Sequence, residues 1–337
     1  MSEDVLLRAN DVVKTFSARG KKLGSRVVSY AVNGVSLEVR RGETLGIVGE
    51  SGCGKSTLAR CLVQLLPVTA GTVSFDGTTL TGLSRRQLRP LRRQFQLVFQ
   101  DPYASLNPRR TVGDIVAEPM RINHTVASGE IDERVRSLFA TVGLDPGAVN
   151  RYPHEFSGGQ RQRIGIARSL SLSPSLVVAD EPVSALDVSI QAQVLNLMSD
   201  LQAQFNLTYV FIAHDLGVVR HVSDRVGVMY LGEFVEFASA DDLYRTPHHP
   251  YTEALLSVVP ELNDTDEPRR ERIVITGDVP DPAQRPSGCA FHPRCPVATD
   301  RCRVEKPALV TIALGREVAC HYPRNVALAT SPIPPAP

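Results

Sequence analysis

The chain has 337 residues, of which 42% are hydrophobic, and its formal net charge is +1. This length allows one large domain or two unequal ones, each able to build a core. The near-neutral charge argues against a nucleic-acid partner, because such proteins normally present a strongly basic face, and no apolar run approaches the ~18 residues that span a bilayer. The first ten residues are polar and lack the apolar core of a signal peptide, so we expect a cytosolic chain.

The first half of the chain is predicted to contain short strands, then a helix, and then a block of different amino-acid composition. Residues 5–48 have the apolar pattern of short strands. A helix is predicted at Thr57–Leu66. Residues 101–172 are richer in Pro, Asn and Arg and hold helical patterns at Asp132–Val142 and Gln160–Leu170. This block is therefore expected to be an inserted, largely helical subdomain.

The second half predicts buried strands followed by an irregular end. Short apolar runs at Leu176–Ala179 and Tyr209–Ala213 are typical of parallel strands, and their alternation with helices predicts a doubly wound α/β core. We expect residues 1–256 to form this domain. The Pro-rich stretch 257–325 is predicted to be a small irregular module, and 326–337 a disordered tail.

A phosphate-binding loop is predicted at Gly49–Thr57, which fits the pattern G-x-x-x-x-G-K-[ST] between a predicted strand and a helix. Glycines let backbone N–H groups approach phosphate oxygens, and the helix N-terminus adds a positive partial charge. Lys55 is expected to supply a charge for the β- and γ-phosphates of a nucleotide, and the Ser56 hydroxyl to bind Mg²⁺. A chance glycine loop is the alternative. The residues predicted to bind nucleotide here are Gly49, Ser51, Gly52, Cys53, Gly54, Lys55, Ser56 and Thr57.

Two carboxylates, Asp180 and Glu181, follow the predicted strand Leu176–Ala179. Ligands bind at the carboxyl ends of strands in α/β sheets. Asp180 is predicted to hold Mg²⁺ directly or through water, and Glu181 to polarise the attacking water. Alone, the pair is weak evidence because an acidic turn after a strand is common; beside a phosphate loop it becomes strong.

Four of the six cysteines lie close together near the C-terminus: Cys289, Cys295, Cys302 and Cys320. Their spacing fits neither the usual zinc pattern nor the bacterial ferredoxin run, so zinc, an iron–sulfur cluster and unligated thiols all stay open. His292 and His321 are possible substitute ligands. Cys53 and Cys61 are expected to pack near the phosphate loop, with Cys53 open to oxidation.

The sequence Ser157-Gly158-Gly159-Gln160, which precedes the acidic strand, resembles the signature motif of ABC ATPases, with Phe156 in place of the usual leucine. The resemblance extends over residues 5–255. It implies a P-loop core with a RecA-like mixed sheet and an N-terminal antiparallel β subdomain. It also implies roles for further residues: Gln100 as the Q-loop sensor of Mg²⁺ and γ-phosphate, Asp187 in the D-loop, and His214 as the switch histidine.

The resemblance further implies an aromatic side chain stacked on adenine. Phe16 is the expected residue and Tyr30 the alternative, with an ordinary core aromatic as a third interpretation. In this family two domains pair head to tail, with each ATP between one phosphate loop and the partner's signature. Because Lys55, Glu181 and His214 are all present, we expect a competent catalytic half rather than an idle regulatory subunit.

Three stretches are similar to the ATPases of dipeptide and oligopeptide importers: Gln100–Arg109, His249–Leu256 and Ser287–Pro296. The first resembles the F-type subunit of these heterodimers. This implies a second ATPase subunit, two permease subunits, an extracytoplasmic substrate-binding protein and a peripheral position at the cytoplasmic face of the membrane. Nickel or oligosaccharide uptake and a non-transport ABC ATPase are the alternatives.

The same resemblance favours a structural [4Fe–4S] cluster on the four late cysteines, with zinc as the alternative. A module this small lacks a core of its own and is expected to need a cross-link of this kind for stability. A redox protein defined by these cysteines alone is the remaining interpretation, and it leaves the first 250 or so residues unexplained.

Overall fold

The computed structural model describes residues 4–19, 26–259 and 272–325, so the predicted tail 326–337 lies outside the described residues. The strands are β1 (Val5–Arg19), β2 (Arg26–Arg40), β3 (Thr44–Val48), β4 (Ala70–Phe75), β5 (Thr78–Thr79), β6 (Phe95–Val98), β7 (Leu176–Asp180), β8 (Thr208–Ala213), β9 (Arg225–Tyr230), β10 (Glu233–Ser239), β11 (Val310–Ala313) and β12 (Arg316–Val318). The helices are α1 (Lys55–Leu62), α2 (Arg85–Leu91), α3 (Pro102–Ser105), α4 (Val112–Asn123), α5 (Ile131–Thr141), α6 (Gly158–Leu170), α7 (Val188–Phe205), α8 (Leu216–Val222), α9 (Ala240–Arg245), α10 (Pro250–Leu256) and α11 (Asp300–Val304).

The described strands form two sheets. The smaller is antiparallel, in the order β2-β1-β4-β5, and the larger has the order β11-β12-β10-β9-β3-β8-β7-β6. Within the larger sheet β9, β3, β8, β7 and β6 run parallel, and β10, β12 and β11 continue it with antiparallel pairing. This confirms the predicted α/β core with a mixed sheet and an antiparallel N-terminal subdomain.

The larger sheet separates two hydrophobic clusters, because successive side chains of a strand point to opposite faces. In β7, Val177 packs into the cluster that contains α4 to α7, whereas Leu176 and Val178 pack into the cluster that contains α1, β1 and β2. A strand that is covered on both faces is usually a continuous run of apolar residues in the sequence. Strands β7 and β8 have such runs, so both could be predicted. Helices α3 to α6 occupy the block predicted to be helical.

The C-terminal part differs from the prediction of a wholly irregular module. Much of residues 272–309 lacks regular structure, but β11 and β12 form a hairpin that pairs with β10, with Glu236 opposite Val318. The physical reason is that β10 would otherwise leave a row of unpaired backbone groups at the sheet edge. The C-terminal part therefore extends the core sheet. Within the described ranges, no helix combines the length and apolar character needed to cross a bilayer.

Candidate active site

The loop between β3 and α1 has a backbone that requires glycine at two positions. Gly49 has φ +154°, and a Cβ atom there would lie 2.1 Å from the carbonyl oxygen of Met229. Gly54 has φ +107°, and its Cβ atom would lie 2.0 Å from the carbonyl oxygen of Ala31. Any side chain at either position would force these backbones apart. The helix α1 then starts at Lys55, two residues earlier than predicted, directly after the left-handed Gly54.

The side chains of this loop reach both its own backbone and the next acidic strand end. The buried Lys55 donates from Nζ to the carbonyl oxygens of Gly49 at 2.7 Å and Glu50 at 3.0 Å. Ser56 Oγ donates to Asp180 Oδ1 at 2.7 Å. Burial raises the pKa of Asp180 above its usual value, an effect that the Ser56 hydrogen bond opposes. A hydroxyl and a carboxylate side by side form the oxygen-rich donor pair that suits Mg²⁺.

Two polar side chains from neighbouring strand ends, Gln100 and His214, meet the carboxylate of Glu181. Gln100 Nε2 donates to Glu181 Oε2 at 2.8 Å, and His214 Nδ1 lies 3.3 Å from the same oxygen. Strands β6, β7 and β8 are parallel neighbours, so the residues after their carboxyl ends gather at one edge of the sheet. Glu181 itself has φ +48°, and its N–H donates to the carbonyl oxygen of Ile212 at 2.9 Å. The structure thus brings together three residues predicted from separate stretches of sequence.

The stretch Ser157–Gln160 opens α6 with a reciprocal cap. Gln160 N donates to Ser157 Oγ at 3.3 Å, and Ser157 N donates to Gln160 Oε1 at 3.0 Å. Asp187 caps α7 by accepting from Ile190 N at 3.0 Å. Across the described residues, no hydrogen bond links the 157–160 stretch to the phosphate loop of the same chain. At this helix start Ser157 and Gln160 are exposed, Gly158 is partly exposed and Gly159 is buried.

The two aromatic residues considered for base stacking are both exposed on the β1–β2 ribbon, Phe16 by 45% and Tyr30 by 39%. In the ribbon Thr15 pairs with Tyr30, and Phe16 pairs with Ser29. Paired residues share a face and neighbours alternate, so Phe16 and Tyr30 project from opposite faces. Only one of them can therefore stack on a base that lies against one face.

The four late cysteines line a single small cavity together with His249, Phe291, His292 and His321. All are free thiols, and burial raises the pKa of Cys289 and Cys295 and raises that of Cys320 to about 11. Within residues 4–19, 26–259 and 272–325, no group of three or more His, Cys, Asp or Glu side chains is placed to hold a metal ion. The thiols share a cavity without converging on one point.

Cys53 corrects one expectation. Its side chain is only 2% exposed, and burial raises the pKa of its thiol despite Lys55 nearby. Because the thiolate is the species that reacts, Cys53 is protected rather than open to oxidation. Cys61 is fully buried, with a pKa raised to about 11, and it packs in the core as predicted.

Sequence reasoning missed the contacts that the C-terminal part makes with the phosphate loop. Arg294 binds Glu50 with both terminal nitrogens, Nη1 to Oε2 at 2.6 Å and Nη2 to Oε1 at 2.9 Å. Tyr251 accepts a hydrogen bond from Glu50 N at 2.9 Å and packs against Phe291 with ring centroids 5.3 Å apart. The partners lie about 200 to 244 positions apart in the chain, so no local pattern could have joined them. The only available signal was an arginine inside a cysteine- and proline-rich stretch.

Comparison with known families gives two matches along the chain. Residues 32–184 match the family described as ABC transporter. Residues 235–302 match the family described as oligopeptide/dipeptide transporter, C-terminal region.

Similar proteins match over almost the whole chain. The oligopeptide transport ATP-binding protein AppF of Bacillus subtilis is 53% identical over 322 residues, which cover 95% of this chain and 98% of that protein. The di/tripeptide transport ATP-binding protein DppF of Pseudomonas aeruginosa is 52% identical over 320 residues, with coverage of 95% and 98%. Among solved structures, a dimeric ATP-binding cassette in a post-hydrolysis state with ADP and Pi matches with a TM-score of 0.63 and 28% identity, covering 70% of this chain and 99% of that one.

Proposed function

The chain belongs to the ABC transporter ATP-binding family, and from that premise we propose that it hydrolyses ATP to drive the import of di- or oligopeptides. The observation that carries the proposal is the Glu181 carboxylate, held between Gln100 and His214 beside the Ser56–Asp180 pair. This is the arrangement that hydrolysis of a phosphoanhydride needs: a base at one side and charge-binding groups at the other.

Each residue of the cluster has a defined part in the proposed chemistry. Glu181 accepts a hydrogen bond from water and orients it for attack, because water alone is a poor nucleophile. His214 and Gln100 fix the carboxylate and report on the γ-phosphate. Lys55 and the loop N–H groups bind the phosphates, and Ser56, Asp180 and Gln100 would hold Mg²⁺, which supplies positive charge to the phosphate oxygens.

We further propose that the second half of each ATP site comes from another ATPase subunit. Ser157 and Gln160 are exposed at the start of α6, and the positive partial charge of this helix N-terminus favours anions. In a head-to-tail pair this surface would meet the partner's phosphate loop, with Asp187 beside it. A heterodimer with two permeases and an extracytoplasmic binding protein fits the names of the relatives, which are transport ATP-binding proteins. The chain would then act peripherally at the cytoplasmic face of the membrane.

The cargo class rests on the relatives' names and the match to the oligopeptide/dipeptide C-terminal region. The test is to purify the chain with its membrane complex and binding protein, reconstitute them in liposomes, and measure ATPase rates against a panel of ligands. Stimulation by di- or oligopeptides supports the proposal. Stimulation by nickel chelates or oligosaccharides alone would keep the ATPase and replace the cargo.

We propose that Cys289, Cys295, Cys302 and Cys320 hold a [4Fe–4S] cluster that ties together residues 257–325, the C-terminal domain proposed after the ATPase domain 1–256. The support is that the four thiols line one cavity, and four cysteine thiolates are the ligands that a [4Fe–4S] cluster takes. Bound iron would supply cross-links among segments that lack a core of their own. Iron and acid-labile sulfide assays on anaerobically purified protein test this. Stoichiometric zinc, or no metal, would contradict it.

A further inference from the structure

Arg294 is the point at which the C-terminal cysteine region contacts the phosphate loop. Its side chain is 7% exposed and makes a two-pronged ion pair with Glu50, whose side chain is 26% exposed. Glu50 is the second residue of the loop that begins at Gly49. The same arginine lies next to Cys295, so one residue links the cysteine cavity with the loop.

The loop is held from outside at two further points, Glu50 N and the carbonyl oxygen of Cys53. Glu50 N donates to Tyr251, whose ring packs on Tyr230 and Phe291 at centroid distances of 4.8 and 5.3 Å. Gly232 N donates to the carbonyl oxygen of Cys53 at 2.7 Å. Arg285, from the C-terminal part, donates to the carbonyl oxygen of Leu231 in the same turn. The C-terminal part therefore contacts the loop at Glu50 through Arg294, and it supports Cys53 indirectly through the turn that holds Leu231 and Gly232.

Glu50 places a negative charge in the phosphate loop, and the ion pair with Arg294 neutralises that charge. A carboxylate within the loop repels a bound triphosphate, because like charges at short range raise the energy of the complex. A bidentate arginine neutralises the carboxylate and fixes its direction. We propose that Arg294 is a positioning residue for ATP binding: it neutralises Glu50 and turns its carboxylate away from the phosphates. This inference rests on the proposed nucleotide site.

A purely structural role is the competing interpretation, in which the ion pair only docks the C-terminal part. The two interpretations differ in what the charges do. If neutralisation matters, ATP affinity follows the net charge of the pair. If docking matters, every variant that breaks the pair weakens the protein to a similar extent, whatever charge remains.

The experiment measures the Kd of fluorescent mant-ATP with Mg²⁺ for the full chain and four variants at low and high salt. Arg294→Met leaves Glu50 unpaired and should weaken binding about tenfold, the size expected of one uncompensated charge near a phosphate. The double variant Glu50→Gln/Arg294→Met removes both charges and should bind as the wild type does. Glu50→Gln alone leaves an extra positive charge and should bind ATP more tightly than the wild type.

The matched control is Arg301→Met, which removes an exposed arginine of the same region that pairs only with Glu305 in the described chain and should leave the Kd unchanged. The Arg294→Met deficit should shrink at high salt, because screening reduces the repulsion. A double variant as weak as Arg294→Met would overturn the proposal. So would Glu50→Gln binding no tighter than wild type, a result that stands even if Arg294→Met fails to fold. Absence of ATP binding by the wild type would instead overturn the nucleotide site itself.

Discussion

At the scale of single residues, the site depends on where one carboxylate is held. Glu181 has a left-handed backbone, and its N–H is fixed by Ile212 in the next strand. Gln100 and His214 then reach the same oxygen of its side chain. In the proposed mechanism the other oxygen orients the attacking water molecule, as a general base requires.

Replacement of Glu181 by glutamine should stop hydrolysis and preserve binding. The amide retains the shape but cannot accept a proton, so phosphate release should fall on the order of a hundredfold or more. The affinity for mant-ATP should be equal to or higher than that of the wild type, since in the proposed site Lys55 and the loop bind the phosphates and the variant loses one repelling charge. Glu305→Gln, at an exposed position, is the control. A variant that hydrolyses ATP at the wild-type rate would show that another group activates the water.

The two early cysteines should resist alkylation in the folded chain. Both thiols are buried, and burial raises their pKa values, that of Cys61 to about 11, so the reactive thiolate is scarce at neutral pH. Iodoacetamide at pH 8 followed by peptide mapping should find Cys53 and Cys61 unmodified, and both modified after unfolding in guanidinium. Rapid modification of Cys53 in the native protein would contradict the observed burial.

Residue types with fixed spacing were predictable from the sequence, and charges that pair across the chain were not. The phosphate loop, Asp180 and Glu181 each follow a recognisable strand, so their positions at the sheet edge could be inferred. Arg294 and Glu50 meet only because the chain returns to the loop after 244 residues. The burial of a side chain also leaves no local pattern in the sequence, which is why the expectation that Cys53 is open to oxidation was wrong.

At the scale of elements, α6 depends on close contact with α7. A Cβ atom at Gly159 would lie 2.4 Å from Cγ2 of Ile190, whereas a Cβ atom at Gly165 in the same helix would meet nothing within 4 Å. The two glycines therefore do different things within one helix. Gly159 allows the approach of α7, and Gly165 only lowers the helix propensity.

Alanine at these two positions should have opposite effects on stability. Gly159→Ala should lower the free energy of unfolding by about 1–3 kcal/mol, because Ile190 must move away. Gly165→Ala should raise it by up to about 1 kcal/mol, because alanine loses less entropy in a helix. Urea denaturation of both variants measures the difference. Equal stabilities would mean that the contact with Ile190 relaxes without cost.

Element boundaries were predicted less well wherever tertiary pairing decides them. Helices α5 and α6 lie within two residues of their predicted limits, since caps and periodicity are local signals. Strands β11 and β12 were not predicted, because residues 310–318 become a hairpin only against the edge of β10. A short strand of this kind is specified by its partner more than by its own residues.

At the scale of the whole molecule, the C-terminal part and the ATPase core share one sheet and one ion pair at the phosphate loop. They should therefore unfold together. ATP with Mg²⁺ at a hundredfold excess over its Kd should stabilise the chain by about 2.7 kcal/mol, since only the folded state binds it. Calorimetry should show a single transition that moves upward as a whole.

The control for this prediction is Lys55→Ala, in which nucleotide should produce little or no shift, because the principal phosphate-binding charge is gone. Two transitions, of which ATP moved only one, would show that the C-terminal part folds independently of the loop it contacts.

The pairing of β12 with β10 also sets an order of events during synthesis. The ribosome releases β10 well before residues 316–318, and domains form progressively as the chain emerges. Until then, one edge of the main sheet has no neighbour, and Glu50 has no arginine, because Arg294 also emerges late. A nascent chain should thus reach its full ATP affinity only after Arg294 has emerged. Truncated products would carry an open sheet edge, which makes them natural substrates for chaperones and proteases.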